Sequence, residues 1–434
     1  MRAVPGARRR AQAAGLAAGV VVLIAGCSQA GSPAPAASAT SVTTPAGPSV
    51  VKTIDPAVLQ ATVDATVKEL MIPGAVVEVR TPQGNFTAAS GTTQRGAETP
   101  PEGDTHFRIA SITKTMTAAV IVLLAQEGKL QFSDPISKYV AGVPNGENIT
   151  IAELLKMRSG LYGFTNDPDF AATLDADPSK AWTTQEVLDI AYRHPPEFAP
   201  DAAYDYSNTN YVLLTMVAEK LDGKPLAQAF QDRLFGPQGL KESSFPATTD
   251  TSIPDPFSHG YMYGGSGYAL VDTPYPPDIS AAAKAGTLAP IDYTNQNASY
   301  AFGAGGAIST ADDLATWIRA LVDGRVFNAD FQRQWLDSPQ ATNPAQPSAP
   351  HYGYGIERQA FTPNATMYYH FGELPGFNSF SGYDPGNKVT LVIWSNLTVA
   401  PDSRPTANVL LLKVADLIYS FPPQAPASAA PTTR

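Results

Sequence analysis

Between residues 56 and 70 the apolar side chains Val58, Leu59, Val63, Val67 and Leu70 recur at the spacing of one helical face. Asp55 ahead of Pro56 is a helix cap followed by a proline at the first helical position, and Pro73-Gly74 stops the run. Ala75–Arg80 then reads as a strand, and Pro82-Gln83-Gly84-Asn85 as a turn into a second strand. From Ser111 to Glu127 the chain is largely apolar, and Gly128 is a good helix stop. Helical patterns follow over Ile151–Met157, Thr184–Tyr192, Asn210–Leu221 and Leu226–Leu234, and Thr310 or Ser309 caps another that runs to Leu321. Tyr352–Ile356, Phe377–Tyr383 and Val389–Trp394 read as strands, and Arg404–Tyr419 as a closing helix. Residues 250–300 are rich in Pro, Gly and Tyr and show no period. So long a stretch either borders a cleft, offering Tyr261, Tyr263, Tyr268, Tyr275 and Tyr293 to a substrate, or packs as a surface segment. Strands at both ends with helices between predict one α/β (α+β) body, its sheet drawn from both termini and its insert mainly helical.

The two ends stand apart from that pattern. Arg2, Arg8, Arg9 and Arg10 form a positive start, and Ala11–Gly26 carries no charge. The run is short for a membrane span of about 20 residues and suits the apolar part of an export signal. It closes Ile24-Ala25-Gly26-Cys27, similar to the bacterial lipobox, whose cysteine is lipidated and becomes the new N-terminus. Residues 28–49 are almost entirely Ser, Ala, Thr, Pro and Gly, a composition too poor in apolar surface to offset its ordering entropy, and read as a flexible tether. Residues 421–434 read as a loose tail. The expected division is a signal over 1–27, a tether over 28–49, a globular body over 50–420 and a tail over 421–434.

Hydrophobic residues make up 44% of the 434 and charged residues 16%, which suits a large buried core and excludes wholesale disorder. The net charge of −10 becomes −14 once residues 1–26 are removed, so no general footprint for nucleic acid exists. A single cysteine excludes an internal disulfide framework and a cysteine-based zinc site. Five scattered histidines without a His-Glu-x-x-His run argue against a built-in metal.

The sharpest chemical signal is Phe107-Arg108-Ile109-Ala110-Ser111-Ile112-Thr113-Lys114. Ser111 and Lys114 lie three apart at a helix start and so share a face. A serine hydroxyl needs a base to become a nucleophile, and a lysine is one when burial or another cation lowers its pKa. Ser49-Val50-Val51-Lys52 fits the same pattern but sits at the tether's edge, with no helix to orient it. The second signal is Tyr206-Ser207-Asn208, whose phenol can pass a proton and whose amide can orient the lysine or a substrate carbonyl. Tyr293-Thr294-Asn295 matches too, yet only Tyr206 is followed at once by an apolar helix that would hold the turn rigidly. The third is His370-Phe371-Gly372-Glu373, where a strand edge would offer an imidazole and a backbone N–H for an oxyanion. His351-Tyr352-Gly353 matches that triplet equally well.

Taken in order, these pieces resemble the serine β-lactamase and penicillin-binding protein superfamily. The likeness is to its family of class C β-lactamases, D-alanyl-D-alanine carboxypeptidases and esterases. The surroundings agree: Tyr206–Leu214, the run Gly305-Gly306-Ala307-Ile308-Ser309-Thr310-Ala311-Asp312-Asp313-Leu314, and His370–Phe377 are each similar to a family stretch, and the likeness covers residues 55–420. It implies the β-lactamase/transpeptidase-like fold, an antiparallel sheet flanked by helices. It also implies an acyl-enzyme on Ser111, with Lys114 and Tyr206 sharing the role of base, and no cofactor. Asn208, His370 and Gly372 would line the site, and the N–H groups of Ser111 and Glu373 would hold the oxyanion. Gly305-Gly306 would be a tight turn without a catalytic part.

The expected activity is that of an extracytoplasmic serine hydrolase, anchored by lipid at Cys27, acting on small molecules or peptidoglycan peptides as a D-alanyl-D-alanine carboxypeptidase does. An esterase or β-lactamase on the same scaffold, and a catalytically silent binding lipoprotein, are the alternatives. The oligomeric state is open. Where many relatives carry Lys-Thr-Gly or His-Thr-Gly, this chain has His370-Phe371-Gly372. A neutral imidazole offers a substrate carboxylate less charge than a lysine. The absent hydroxyl matters only if residue 371 points into the cleft, and strand alternation leaves both geometries open. The expectation is weak β-lactam and carboxylate recognition, with easier turnover of neutral esters or amides.

Overall fold

Strands from the two ends of the body meet in one sheet. In this computed structural model, which describes residues 51–271 and 273–421, helix α1 (Pro56–Leu70) leads into the hairpin β1 (Gly74–Thr81) and β2 (Gly84–Gly91). The remaining strands come from the far end of the chain. They are β3 (Gln340–Ala341), β4 (His351–Tyr352), β5 (Glu357–Thr362), β6 (Ala365–Leu374), β7 (Phe377–Asp384) and β8 (Val389–Ser395). The order across the sheet is β2-β1-β8-β7-β6-β5-β4-β3, antiparallel at every junction, with β1 joined to β8 from Ala75↔Ser395 to Arg80↔Thr390. This is the β-lactamase/transpeptidase-like α/β architecture.

The central strands are buried on both faces, so they read as apolar runs while their side chains sort alternately. Ala75, Val77, Val79, Leu391 and Ile393 face a core shared with α1 and α5 (Thr406–Ile418). Val76, Val392 and Trp394 face the other core, which takes in α2 (Thr113–Gln126), α3 (Asn208–Asp222) and α4 (Ala311–Val322). Local signals place the helix ends. The Asp55 side chain accepts from the Ala57 N–H at 2.8 Å, and Thr310 from the Asp313 N–H at 3.2 Å. Thr150 and Thr183 each form a capping box with the glutamate three residues on. Among the described residues no helix is long and apolar enough to cross a membrane.

The structure departs from the sequence pattern in several places. The strand expected over Tyr352–Ile356 is only His351–Tyr352, and β5 and β6 follow it. Their polar and aromatic residues give no clean alternation, because β6 is covered on both sides from Tyr369 onward. The expected helix Leu226–Leu234 changes winding after Phe230. Residues 250–300 contain the helix Pro277–Lys284 and a two-stranded pairing of Tyr261–Met262 with Ile291–Asp292. The expected signal and tether, Cys27 included, and residues 422–434 lie outside the described residues.

Candidate active site

The turn that carries Ser111 is gripped from both sides. Phe107–Arg108 pairs with Ile308–Ser309, Phe107 stacks on Trp394 at 4.9 Å, and the Ile109 N–H donates to the Ala307 carbonyl at 3.1 Å. Ala110 then adopts φ 51°, the left-handed region that costs a residue with a Cβ. Ala110–Ile112 form one 3-10 turn before α2 starts at Thr113. Ser111 therefore sits on a sharp turn, where the sequence predicted the first helical residue. It is partly open to solvent, while every residue from Ile112 to Val120 is buried.

Lys114 Nζ is fully buried, 2.9 Å from Ser111 Oγ. It donates to Asn208 Oδ1 at 2.7 Å and to the Ala304 carbonyl at 2.6 Å. Burial alone pulls its pKa well below the usual lysine range. A neutral amine has two N–H bonds and one lone pair, and two of its partners here can only accept. In its neutral form the amine would give its two N–H bonds to Asn208 and Ala304 and turn its lone pair to the Ser111 hydroxyl.

Tyr206 and Asn208 come from the chain entering α3. The Tyr206 hydroxyl is hydrogen-bonded to Ser111, and burial pushes its phenol well above the ordinary range, so it stays protonated. Lys114 Nζ lies 4.8 Å from the centre of the Tyr206 ring. Asn208 Nδ2 donates to Thr165 Oγ1 at 3.1 Å, which fixes the amide with its oxygen toward Lys114.

His370 faces the same site from β6, its ring centre 6.3 Å from that of Tyr206. Nδ1 donates to the Phe371 carbonyl at 2.5 Å, so Nε2 accepts from the Tyr352 hydroxyl at 3.0 Å. Burial, with Lys114 alongside, holds the imidazole down to about 3, neutral at physiological pH. Gly372 presses on the Ser111 turn, where a Cβ would lie 2.3 Å from the Ile109 carbonyl oxygen. Phe371 takes the opposite face and packs on Tyr369 and Phe380 with ring centres at 5.4 and 5.1 Å. The absent Thr hydroxyl is therefore moot at this site, and the neutral imidazole is what distinguishes it. The Glu373 carboxylate accepts from Asn378 Nδ2 at 2.8 Å.

The rival triplets fall elsewhere. Tyr293 donates to Asp175 at 2.7 Å, away from Ser111, and Lys52 pairs by its backbone with Ile418 at the sheet's far side. The second His-x-Gly contributes through its middle residue, since Tyr352 anchors His370. The sequence pointed to that triplet without showing which residue would matter. Two further partners, Thr165 and the Ala304 carbonyl, have no sequence signature. The Ala304 carbonyl reaches Lys114 because Gly303 has no Cβ, which would sit 2.4 Å from Thr215 Oγ1. The turn at Gly303–Gly306 thus holds the lysine as well as packing a helix. In residues 250–300, Tyr261, Tyr263, Tyr275 and Tyr293 are all buried, which supports the packing account of that stretch. Among the described residues no three His, Cys, Asp or Glu side chains gather as metal ligands would.

A sequence model of the Beta-lactamase family matches residues 59–416. A penicillin-binding protein of Bacillus subtilis (strain 168) is 26% identical over 68% of this chain. The match to the first curated relatives spans 62% of their length. The D-alanyl-D-alanine-carboxypeptidase/endopeptidase AmpH of Escherichia coli (strain K12) is 33% identical over 169 residues, 37% of this chain and 42% of AmpH. A solved D-stereospecific amidohydrolase from Streptomyces sp. is 29% identical with a TM-score of 0.70, covering 83% of this chain and 98% of its own. The family match runs from α1 into α5 and so takes in the whole sheet and every residue around Ser111. On that extent, the chain belongs to the beta-lactamase family of serine hydrolases.

Proposed function

We propose that this protein is an extracytoplasmic serine hydrolase that works through an acyl-enzyme on Ser111. The observation that carries the reading is the buried Lys114 Nζ, 2.9 Å from Ser111 Oγ. In the first step Ser111 Oγ bonds to a substrate carbonyl carbon as its proton passes to Lys114 Nζ. The carbonyl oxygen becomes an oxyanion, held by the N–H groups of Ser111 and Glu373. The bond to the leaving group then breaks, and that group takes a proton through the Tyr206 hydroxyl, which Lys114 replenishes. Water attacks the resulting ester, Ser111 regains its proton, and the acid is released. Tyr206 serves as the relay and Lys114 as the base, because burial favours the neutral form of both.

The substrate is a peptide or amide of the D-amino-acid type, as with a D-alanyl-D-alanine carboxypeptidase. AmpH is named for that activity, and the Streptomyces relative for D-stereospecific amide hydrolysis. A second reading, favoured by the neutral His370, is that uncharged amides or esters turn over better than substrates ending in a carboxylate. We place the protein on the outer face of the membrane, lipid-anchored at Cys27, on the strength of the lipobox-like run that ends there.

The test is a panel of a D-Ala-D-Ala peptide, a D-amino-acid amide, a p-nitrophenyl ester and a cephalosporin, run on the soluble body and on Ser111→Ala. Mass spectrometry after a fluorophosphonate should place an adduct on the Ser111 peptide. An adduct that persists in Ser111→Ala, or turnover that survives it, would sink the assignment. Preference for the carboxylate-terminated peptide over the neutral amide would reject the second reading.

A further inference from the structure

The two N–H groups expected to hold the oxyanion sit on separate elements, Ser111 on its turn and Glu373 near the end of β6. Their spacing depends on what ties those elements together, and one buried residue reaches both. Gln296 is 1% exposed. Its main-chain carbonyl accepts from Arg108 Nη2 at 3.1 Å, three residues before Ser111. Its side-chain amide donates to the Pro375 carbonyl, two residues after Glu373. Its Oε1 accepts from the Tyr300 hydroxyl at 3.4 Å, so both ends of the amide are held, and its main-chain N–H donates to the Tyr293 carbonyl at 3.1 Å.

Arg108 makes this clamp stiff. It is 1% exposed, and among the described residues no carboxylate lies within ion-pair distance of it. Carbonyls solvate the charge instead: Thr251 at 2.7 Å, Gln296 at 3.1 Å and Thr294 at 3.4 Å. A buried cation without those carbonyls would be costly, so the three stay in place. On the Pro375 side the backbones of Gly260 and Gly376 touch: a Cβ on Gly260 would lie 3.0 Å from Gly376 Cα.

We propose that Gln296 is a positioning residue which, through Arg108 on one side and Pro375 on the other, sets the gap between the Ser111 turn and the Glu373 strand end. The inference rests on the acyl-enzyme reading above. It also gives residues 250–300 a catalytic consequence without substrate contact. The stretch carries the brace of the oxyanion site.

Gln296→Met keeps the side chain's length and loses both amide hydrogen bonds. Kinetics on a p-nitrophenyl ester, the affinity for phenylboronic acid as a tetrahedral mimic, and Tm are measured together. The expected result is a fall in kcat and in boronate affinity by about 10- to 100-fold, in parallel, because misplacing a donor by a fraction of an ångström costs that much. KM should move by less than about threefold, since ground-state contacts are untouched. A lowered Tm with unchanged kcat and boronate affinity would overturn the proposal and leave Gln296 a structural staple. If Gln296→Met does not fold, Arg108→Lys, which keeps the charge and loses part of the carbonyl fork, is read by the same two outcomes. Failure of wild-type Ser111 to form a covalent adduct would reject the acyl-enzyme reading itself, a separate result from either.

Discussion

Among the described residues Lys114 has three polar partners and no carboxylate, so its substitution separates two roles that a lysine can play. Arginine keeps a positive charge but cannot give up its proton. Lys114→Arg should therefore lose as much activity as Lys114→Met, about 10²- to 10⁴-fold in kcat/KM, if the amine is the base. Substantial activity in the arginine variant would show that charge alone suffices. Phe371 calls for the opposite result. Because its ring lies in the outer core against Tyr369 and Phe380, Phe371→Thr should lower stability by roughly 2–4 kcal/mol. The ratio of ester to cephalosporin turnover should stay unchanged, and a shift in that ratio would place residue 371 in the cleft after all. Glu357 pairs in register with Tyr352 and Tyr369, and burial pushes its carboxyl from 4.5 up to about 7. The folded chain then holds a proton that the unfolded chain releases, so this group's stabilisation is complete below about pH 4.5 and is lost as pH rises toward 7. Glu357→Gln should flatten that part of a Tm-against-pH curve. An unchanged slope would mean that the carboxyl ionises freely in the fold.

At the scale of elements, the site exists because a strained turn is pressed against a strand. Ala110 holds φ 51° with Gly372 packed close against the turn. Gly372→Ala would put a methyl 2.3 Å from the Ile109 carbonyl oxygen, so the turn must shift and carry Ser111 with it. The expected outcome is a loss of about 100-fold in kcat on the ester, larger than the accompanying change in KM. Wild-type kinetics in that variant would show that the strand and the turn are not coupled. Elements differ in how plainly the sequence announces them. The helix from Pro56 and the one from Thr184 carry their own caps, which are local, and the expected spans agree with the structure. Strand β6 does not, because its face pattern is set by what covers it. The Ser111 turn was expected as helix, since a left-handed alanine has no signature in a run of apolar residues.

For the whole molecule, the charge and the ends of the chain bear on where it acts. Cys27→Ser should release the protein from membranes or leave it as an unprocessed precursor, and a processed variant that stays membrane-bound would refute the anchor. The body around the site is a product of both levels. The sequence alone settled the helix faces, the apolar strands and the Ser-x-x-Lys and Tyr-x-Asn spacings, because each depends on residues within a few positions of one another. It left two His-x-Gly triplets unresolved, as well as the side taken by Phe371 and the choice of base. Those depended on contacts across the chain. Lys114 meets Asn208 and Ala304, 94 and 190 positions away, and its burial among them is what lowers its pKa. Tyr352 reaches His370 only once β4, β5 and β6 lie side by side. Local pattern encodes which face of an element is apolar. Only packing decides which polar groups are shut away from water together, and their pKa values and roles follow from that.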